Sequence, residues 1–255
     1  MKKITDDSKA FEGHLKDLAE RSYSNNIYTF TNFLGEAEKN ILFRLSGELS
    51  YAGVSTYGGM EYAERVIAGF GREEELGYSK DYPISCLRIA PLSQKFSQEL
   101  GHRDFLGSLM ALGIERELLG DIIVKDNNAY LFCVDHIAQF ICDNLTQVRH
   151  TNVTVSAAAQ VPEDAKPDFR DLCVIVSSVR LDAVISKVFS LSRTQGQNLF
   201  SSGKVFVNGA ECKSSSYAPK DQDIISVRGF GKFIFAGQQG ATGKGRIRVL
   251  ARLFS

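Results

Sequence analysis

Apolar residues in the first part of this 255-residue chain recur every three or four positions, the spacing of one helix face. Phe11, Leu15, Leu18 and Ala19 form one such stripe, and residues 36–45 (EAEKNILFRL) carry a second. Residues 50–59 (SYAGVSTYGG) are rich in turn formers and aromatic rings, and MEYAERVIAGF behind them reads as a further helix. Residues 1–80 are therefore expected to be a small, mostly helical domain. Tyr51, Tyr57 and Tyr62 with Arg65 could form a ligand surface, but they are expected instead to pack, partly buried, within it. Gly69-Phe70-Gly71 has no strand pattern ahead of it and reads as a loop rather than a nucleotide site.

The rhythm then changes. Residues 84–90 are strand-like, 102–113 (HRDFLGSLMALG) helical, and 114–119 read as a continuation of that helix. Two strands, 121–124 and 129–134, flank the turn Asp126-Asn127-Asn128. A helix follows over 135–148, capped by Asp135, with Ile137, Phe140, Ile141 and Leu145 facing inward. Residues 151–156 are again β-rich. The order βαββαβ predicts a ferredoxin-like, RRM-like domain over residues 82–177. The aromatic signature of the RNA-recognition motif is absent, so this sheet is not expected to bind RNA. Residues 157–167 (AAAQVPEDAKP) read as a connector. The apolar stretch that starts at Phe169 reads as a strand packed on the middle sheet, with a hinge at Ser177-Ser178.

Residues 179–209 are the most informative. Leu181, Val184, Ile185, Val188 and Phe189 lie on one helical face. Ser192-Arg193-Thr194-Gln195 reads as a capping box opening a second helix, with Leu199 and Phe200 inward and Gly203 as its end. Val205-Phe206-Val207 alternates as a strand, and Asn208-Gly209 is a type I′ hairpin signal. Lys204 at a helix C-terminus complements the dipole. Arg193 opposes it, so helix stability does not explain that residue; with the neighbouring backbone amides it makes an anion site. Further on, Arg228-Gly229-Phe230-Gly231-Lys232 reads as a basic hairpin tip. GATGKG at 240–245 departs from a phosphate-binding loop in its glycine spacing and its final Gly245. Arg246 and Arg248 alternate with Ile247 and Val249, predicting a final strand with one cationic and one buried face.

R-L-D-x-x-I-S at 180–186, L-S-R at 191–193 and G-K-V-x-V-N-G at 203–209 resemble the S-four domain. That resemblance implies binding of structured RNA, ribosomal or transfer, through the helix pair and the following hairpin. With the charge placement, it marks Arg180, Arg193, Gln197 and Lys204 as the RNA-binding surface, extended by Lys213, Arg228 and Lys232. The stretch HRDFLGSLMALGIERELLGD at 102–121, and GGMEYAER at 58–65, resemble the YlmH family of bacterial proteins, which end in such a domain. Membership implies a cytoplasmic, ribosome-associated translation factor without catalysis or cofactor. It also implies binding to large-subunit ribosomal RNA with peptidyl-tRNA, in rescue or quality control of stalled ribosomes, alongside other quality-control factors. Some members carry a cell-division label. The expected fold is α+β in three domains, 1–80, 82–177 and a C-terminal S-four-type unit over 179–255.

Composition adds a charge split. The formal net charge is zero, yet from Arg180 onward twelve Lys and Arg stand against four Asp and Glu, a net +8, leaving −8 before it. A basic module on an acidic body is expected where one end meets a polyanion. No apolar run approaches a membrane span of ~20 residues, and the N-terminus lacks the apolar core of a secretory signal. The five cysteines and four histidines show no close metal-ligand spacing, so buried free thiols and no metal are expected. Two other functions have sequence grounds. Pseudouridine synthases share R-L-D and often carry S-four domains, but here the single R-L-D lies inside the RNA-binding helix. A division-associated protein would instead use the acidic body as a docking surface.

Overall fold

The computed structural model describes residues 2–93, 99–165, 168–243 and 245–254. The stripe of Leu15, Leu18 and Ala19 lies on helix α1 (Lys2–Asn25), and the second stripe is α2 (Glu36–Leu45). Both pack on one face of a three-stranded antiparallel sheet, β1 (Thr29–Leu34), β2 (Val54–Tyr57) and β3 (Val66–Phe70), in the order β1-β3-β2. Residues 66–70, expected to be helical, are thus the central strand. Val-Ile-Ala-Gly-Phe is apolar because both its faces are covered, and such a short run has no periodicity to separate strand from helix. Gly69-Phe70-Gly71 accordingly closes a strand rather than forming a free loop.

After the short helix α3 (Glu73–Leu76) come β4 (Ile84–Pro91), α4 (His102–Ala111), β5 (Leu119–Lys125), β6 (Asn128–Val134), α5 (Asp135–Asn144), β7 (Gln147–Val148) and β8 (Thr151–Ala157). The antiparallel order β5-β6-β4-β8-β7 is ferredoxin-like, with a small hairpin added at one edge. Gly113, at φ +80°, stops α4, so residues 116–118 form a separate 3-10 turn instead of continuing the helix. α5 ends at Asn144, because residues 147–148 begin the edge hairpin, and Phe140 points to solvent.

Both faces of this sheet are covered. Phe105 and Leu109 of α4 and Ile141 of α5 meet Leu87 and Leu131 on one side. On the other, Phe132 and Val134 pack against Phe33 and Ile67 of the three-stranded sheet. Val161 and Ala165 join this second layer, so the stretch read as a bare connector is partly core. Gly59, at φ +92°, is pressed on the Phe132 ring, leaving no room for a side chain. Arg65 seals the seam by donating to the carbonyls of Phe33 (2.8 Å) and Leu119 (2.9 Å), while Asp121 accepts the amides of Glu64 (2.6 Å) and Arg65 (3.0 Å). The segments expected to form separate N-terminal and middle domains therefore share a core. The chain divides instead into Met1–Lys166 and Pro167–Ser255.

The second unit comprises β9 (Phe169–Val176), α6 (Leu181–Val188), α7 (Arg193–Ser201), β10 (Val205–Val207), β11 (Ala210–Glu211), β12 (Ile224–Val227), β13 (Gly231–Ala241) and β14 (Ile247–Phe254). Its sheet runs β11-β10-β12-β13-β14-β9. β9, assigned from its sequence to the middle domain, belongs to this sheet and pairs with β14 from Phe169↔Phe254 to Val176↔Ile247. An apolar run identifies a strand but not its partner, which here lies far along the chain. Leu172, Val174 and Val176 of β9 join Val184, Ile185, Leu199, Phe233 and Val249 in the core beneath α6 and α7. Asn208 (φ +50°) and Gly209 (φ +83°) make the tight turn between β10 and β11. Between β13 and β14 the Thr242 amide donates to the Arg246 carbonyl.

Candidate nucleic-acid interface

α6 and α7 meet at Gly196, where a Cβ would collide with Ser186 Oγ. The missing side chain lets the two backbones approach, and Ser186 Oγ donates to the Asp182 carbonyl (2.7 Å). Asp182 is the hub of the pair. It is 1% exposed, and its carboxylate accepts from Arg180 Nε (3.1 Å) and Nη2 (3.0 Å) and from the Ala183 amide (2.9 Å). Burial alone would push this carboxyl up, but the Arg180 bonds and charge, the Ala183 amide and the Gln197 side chain bring it below the ordinary range. The start of α6 is held from outside its own sequence: the amides of Leu181 and Asp182 donate to the carbonyls of Tyr217 (2.8 Å) and Ser215 (3.1 Å). Tyr217 in turn donates to buried Asp223 (2.9 Å); burial, then that bond, pushes its hydroxyl up to about 12.

The capping box at α7 forms as the sequence predicts. Ser192 Oγ accepts the Gln195 amide (3.2 Å), and Gln195 Oε1 accepts the Ser192 amide (2.9 Å). Arg193 occupies the first position of α7, exposed, with no ion pair among the described residues. Gln197 stands one turn on, on the same face. Arg180, tied to Asp182, opens α6, while Arg193 and Gln197 share a face of α7. Lys213 belongs to the exposed segment just before the one that braces α6.

The remaining candidates form a second group. Lys204 is exposed beyond the end of α7, and its carbonyl accepts the Arg228 amide (2.9 Å). The Arg228 guanidinium lies over the Phe206 ring, 4.5 Å from its centroid, so it is a stacked cation rather than a free one. Lys232 pairs in register with Ser226, itself opposite Phe206, which places all three on the sheet face away from the helices. Roughly 13 Å of α7, nine residues long, separates this group from Arg193. Sequence reasoning missed Asp182 as the organiser; the available signal was a carboxylate set inside an apolar helix face. It also missed Phe230, 46% exposed at the hairpin tip and packed on Phe189 (5.8 Å).

Other candidate chemistry is accounted for structurally. Among the described residues no group of three or more His, Cys, Asp or Glu is placed to hold a metal, and no helix is long and apolar enough to cross a membrane. Burial pushes the Cys86 thiol to about 11 and Cys133 to about 12, whereas Cys173 is exposed rather than buried.

Residues 78–161 match the family model described as "Putative RNA-binding domain in YlmH", and residues 179–225 match the S4 domain. The chain is 30% identical over 244 residues, 92% of its length and 89% of the relative's, to "Ribosome-associated protein quality control protein P2" of Bacillus subtilis. The chain belongs to the YlmH family. A solved structure titled "Cell division protein ylmH from Streptococcus pneumoniae" aligns with a TM-score of 0.49 at 19% identity, covering 64% of this chain and 95% of that one. The two family models together match about half of this YlmH-family chain, one in each unit. The first of these matches covers the ferredoxin-like sheet, from which sequence reasoning drew no RNA role, and its description is of a putative RNA-binding domain. In the S-four module the R-L-D motif is an internal lock, its aspartate held by Arg180 and a backbone amide.

Proposed function

We propose that this protein is a non-catalytic RNA-binding factor that acts on the large ribosomal subunit carrying peptidyl-tRNA, in the rescue of stalled translation. The observation that carries this reading is the S-four helix pair, in which Asp182 is locked inside while Arg193 stands exposed beside the capped N-terminus of α7. An arginine next to helix-terminal amides grips a phosphate bidentately. The +8 charge from Arg180 onward supports a polyanionic partner, and the Bacillus subtilis relative, named as ribosome-associated, supports the ribosome as the place of action. Asp182, the single aspartate in an R-L-D context, is buried and hydrogen-bonded, which favours binding over base modification.

The test is co-sedimentation of the purified protein with separated ribosomal subunits, with and without peptidyl-tRNA. Binding is expected to the large subunit, stronger when peptidyl-tRNA is present. With about five phosphates neutralised, a fourfold rise in salt weakens binding by roughly two to three orders of magnitude. Equal binding to both subunits, or salt-insensitive binding, contradicts the reading.

A further inference from the structure

In ferredoxin-like RNA-recognition folds, the sheet face away from the helices stacks the bases. Here Phe132 and Val134 on that face are buried against Phe33 and Ile67, so this part of the sheet offers bases no platform. The opposite side of the domain holds a cleft of about 550 Å³ between α4 and the segment running from the end of α5 into β7. Its α4 wall is the H-R-D-F-L-G-S-L-M-A stretch, the most distinctive of the middle domain, whose role the S-four reading leaves unexplained. Arg103 stands on this wall, while Gly107 and Ala111 keep it low. The facing wall supplies the side chains of Asn144, Thr146 and Gln147, all exposed.

Arg149 closes the cleft in an unusual way. It is the first residue of the two-residue turn between Val148 and Thr151, at φ +52°. Glycine or asparagine suits that position; an arginine there carries a conformational cost, and such costs concentrate at functional sites. The turn holds the guanidinium 3.5 Å from Asp104, the only acidic residue lining the cleft among the described residues, and leaves Arg149 55% exposed. Among the described residues no aromatic ring lines the cleft, so it has nothing on which to stack a splayed base. Arginines set among amide and hydroxyl groups suit the phosphates and 2′-hydroxyls of a helix. We infer that the α4–β7 cleft of the ferredoxin-like unit binds the backbone of duplex RNA, with Arg103 and Arg149 as its phosphate contacts. This rests on the RNA-binding reading above and gives the first unit a site distinct from the S-four surface.

The experiment is titration of the full chain with a fluorescent hairpin duplex of about 16 base pairs, the span of a typical duplex-binding module, and with a single strand of equal length. Arg103→Ala and Arg149→Gly are compared with wild type, with Arg193→Ala as the S-four variant and exposed Arg21→Ala as the charge control. Arg149→Gly suits its backbone position, so its melting temperature is expected to equal or exceed that of wild type. Each cleft variant is expected to weaken duplex binding by about tenfold and lower the log–log salt slope by about one. Binding of the single strand changes little. Wild-type affinity for the duplex in both cleft variants, with loss only in Arg193→Ala, overturns the cleft and leaves the RNA reading standing. Equal losses in Arg21→Ala, or equal losses on the single strand, also overturn it. Failure of the wild type to bind either RNA removes the parent reading and the cleft together.

Discussion

The two larger sheets of this molecule treat their second faces in opposite ways. In the first unit, α4 and α5 cover one face of the ferredoxin-like sheet and the three-stranded sheet covers much of the other, so Phe132 and Val134 are core residues on what other folds use as a binding face. In the second unit, α6 and α7 cover one face, while the other carries exposed Cys173, Ile175 and Arg248 beside buried Ile234 and a Phe206 ring that lies under Arg228. A shared habit of one sheet with two helices therefore does not imply a shared binding surface. What decides it is whether a further layer occupies the remaining face.

The largest expected effect tests the sealed face. Phe132→Ala leaves a cavity between two sheets and is expected to cost about 3–5 kcal/mol. Denaturant unfolding followed by a probe in each unit should show the loss in the first unit and little change in the second. A loss below about 1 kcal/mol would mean that the second face is open after all.

Next is the lock inside the S-four pair. Arg180→Ala strands the buried Asp182 carboxylate and is expected to destabilise the S-four pair at neutral pH, less than breaking a wholly buried pair would because Arg180 is part-exposed. The folded Asp182 carboxyl titrates below its unfolded value, so the stability from this pair is present above the ordinary aspartate pKa of about 4 and fades as pH falls through the folded value. Thermal melts at pH 7 and pH 3 should therefore show the gap between wild type and Arg180→Ala closing in acid. A gap independent of pH counts against the lock.

Binding comes third. Arg193→Ala is expected to lose about 1.5–3 kcal/mol of affinity for the large subunit without loss of folding, since the side chain is exposed. Lys187, also exposed but on α6, is the comparison. Equal losses for Arg193→Ala and Lys187→Ala would reduce the grip to general basicity. The smallest effect is at the helix crossing. Gly196→Ala overpacks against Ser186, a cost of about 1–3 kcal/mol, offset by roughly 1 kcal/mol of helix propensity. The same change made in a Ser186→Ala background should be nearly neutral; an undiminished loss there would place the clash elsewhere.

The sequence showed most clearly what is local. The α7 capping box, the Asn208-Gly209 turn and the α6 stripe are each written within a few residues, and each formed where expected. The βαββαβ order was legible for the same reason. Partnerships were not: Val66–Phe70 and Phe169–Val176 are apolar runs whose meaning depends on strands distant in the chain. The candidate site divides likewise. Arg193 was recognisable because it defies its helix dipole. Arg180 looked like an outward cation until the burial of Asp182 showed what it holds. Arg149 gave no sequence signal, because a left-handed arginine is visible only in the backbone angle.

The pairing of β9 with β14 has a consequence for synthesis. β9 is the strand by which the chain enters the second unit, and among the described residues its one sheet partner is the last strand, β14. On a translating ribosome, Val176 emerges long before Ile247, so β9 waits as an open edge while α6 and α7 form beside it. The helix pair can take shape early; its sheet cannot. A factor proposed to attend stalled ribosomes would itself leave one with an unfinished fold whenever its own translation halted before β14.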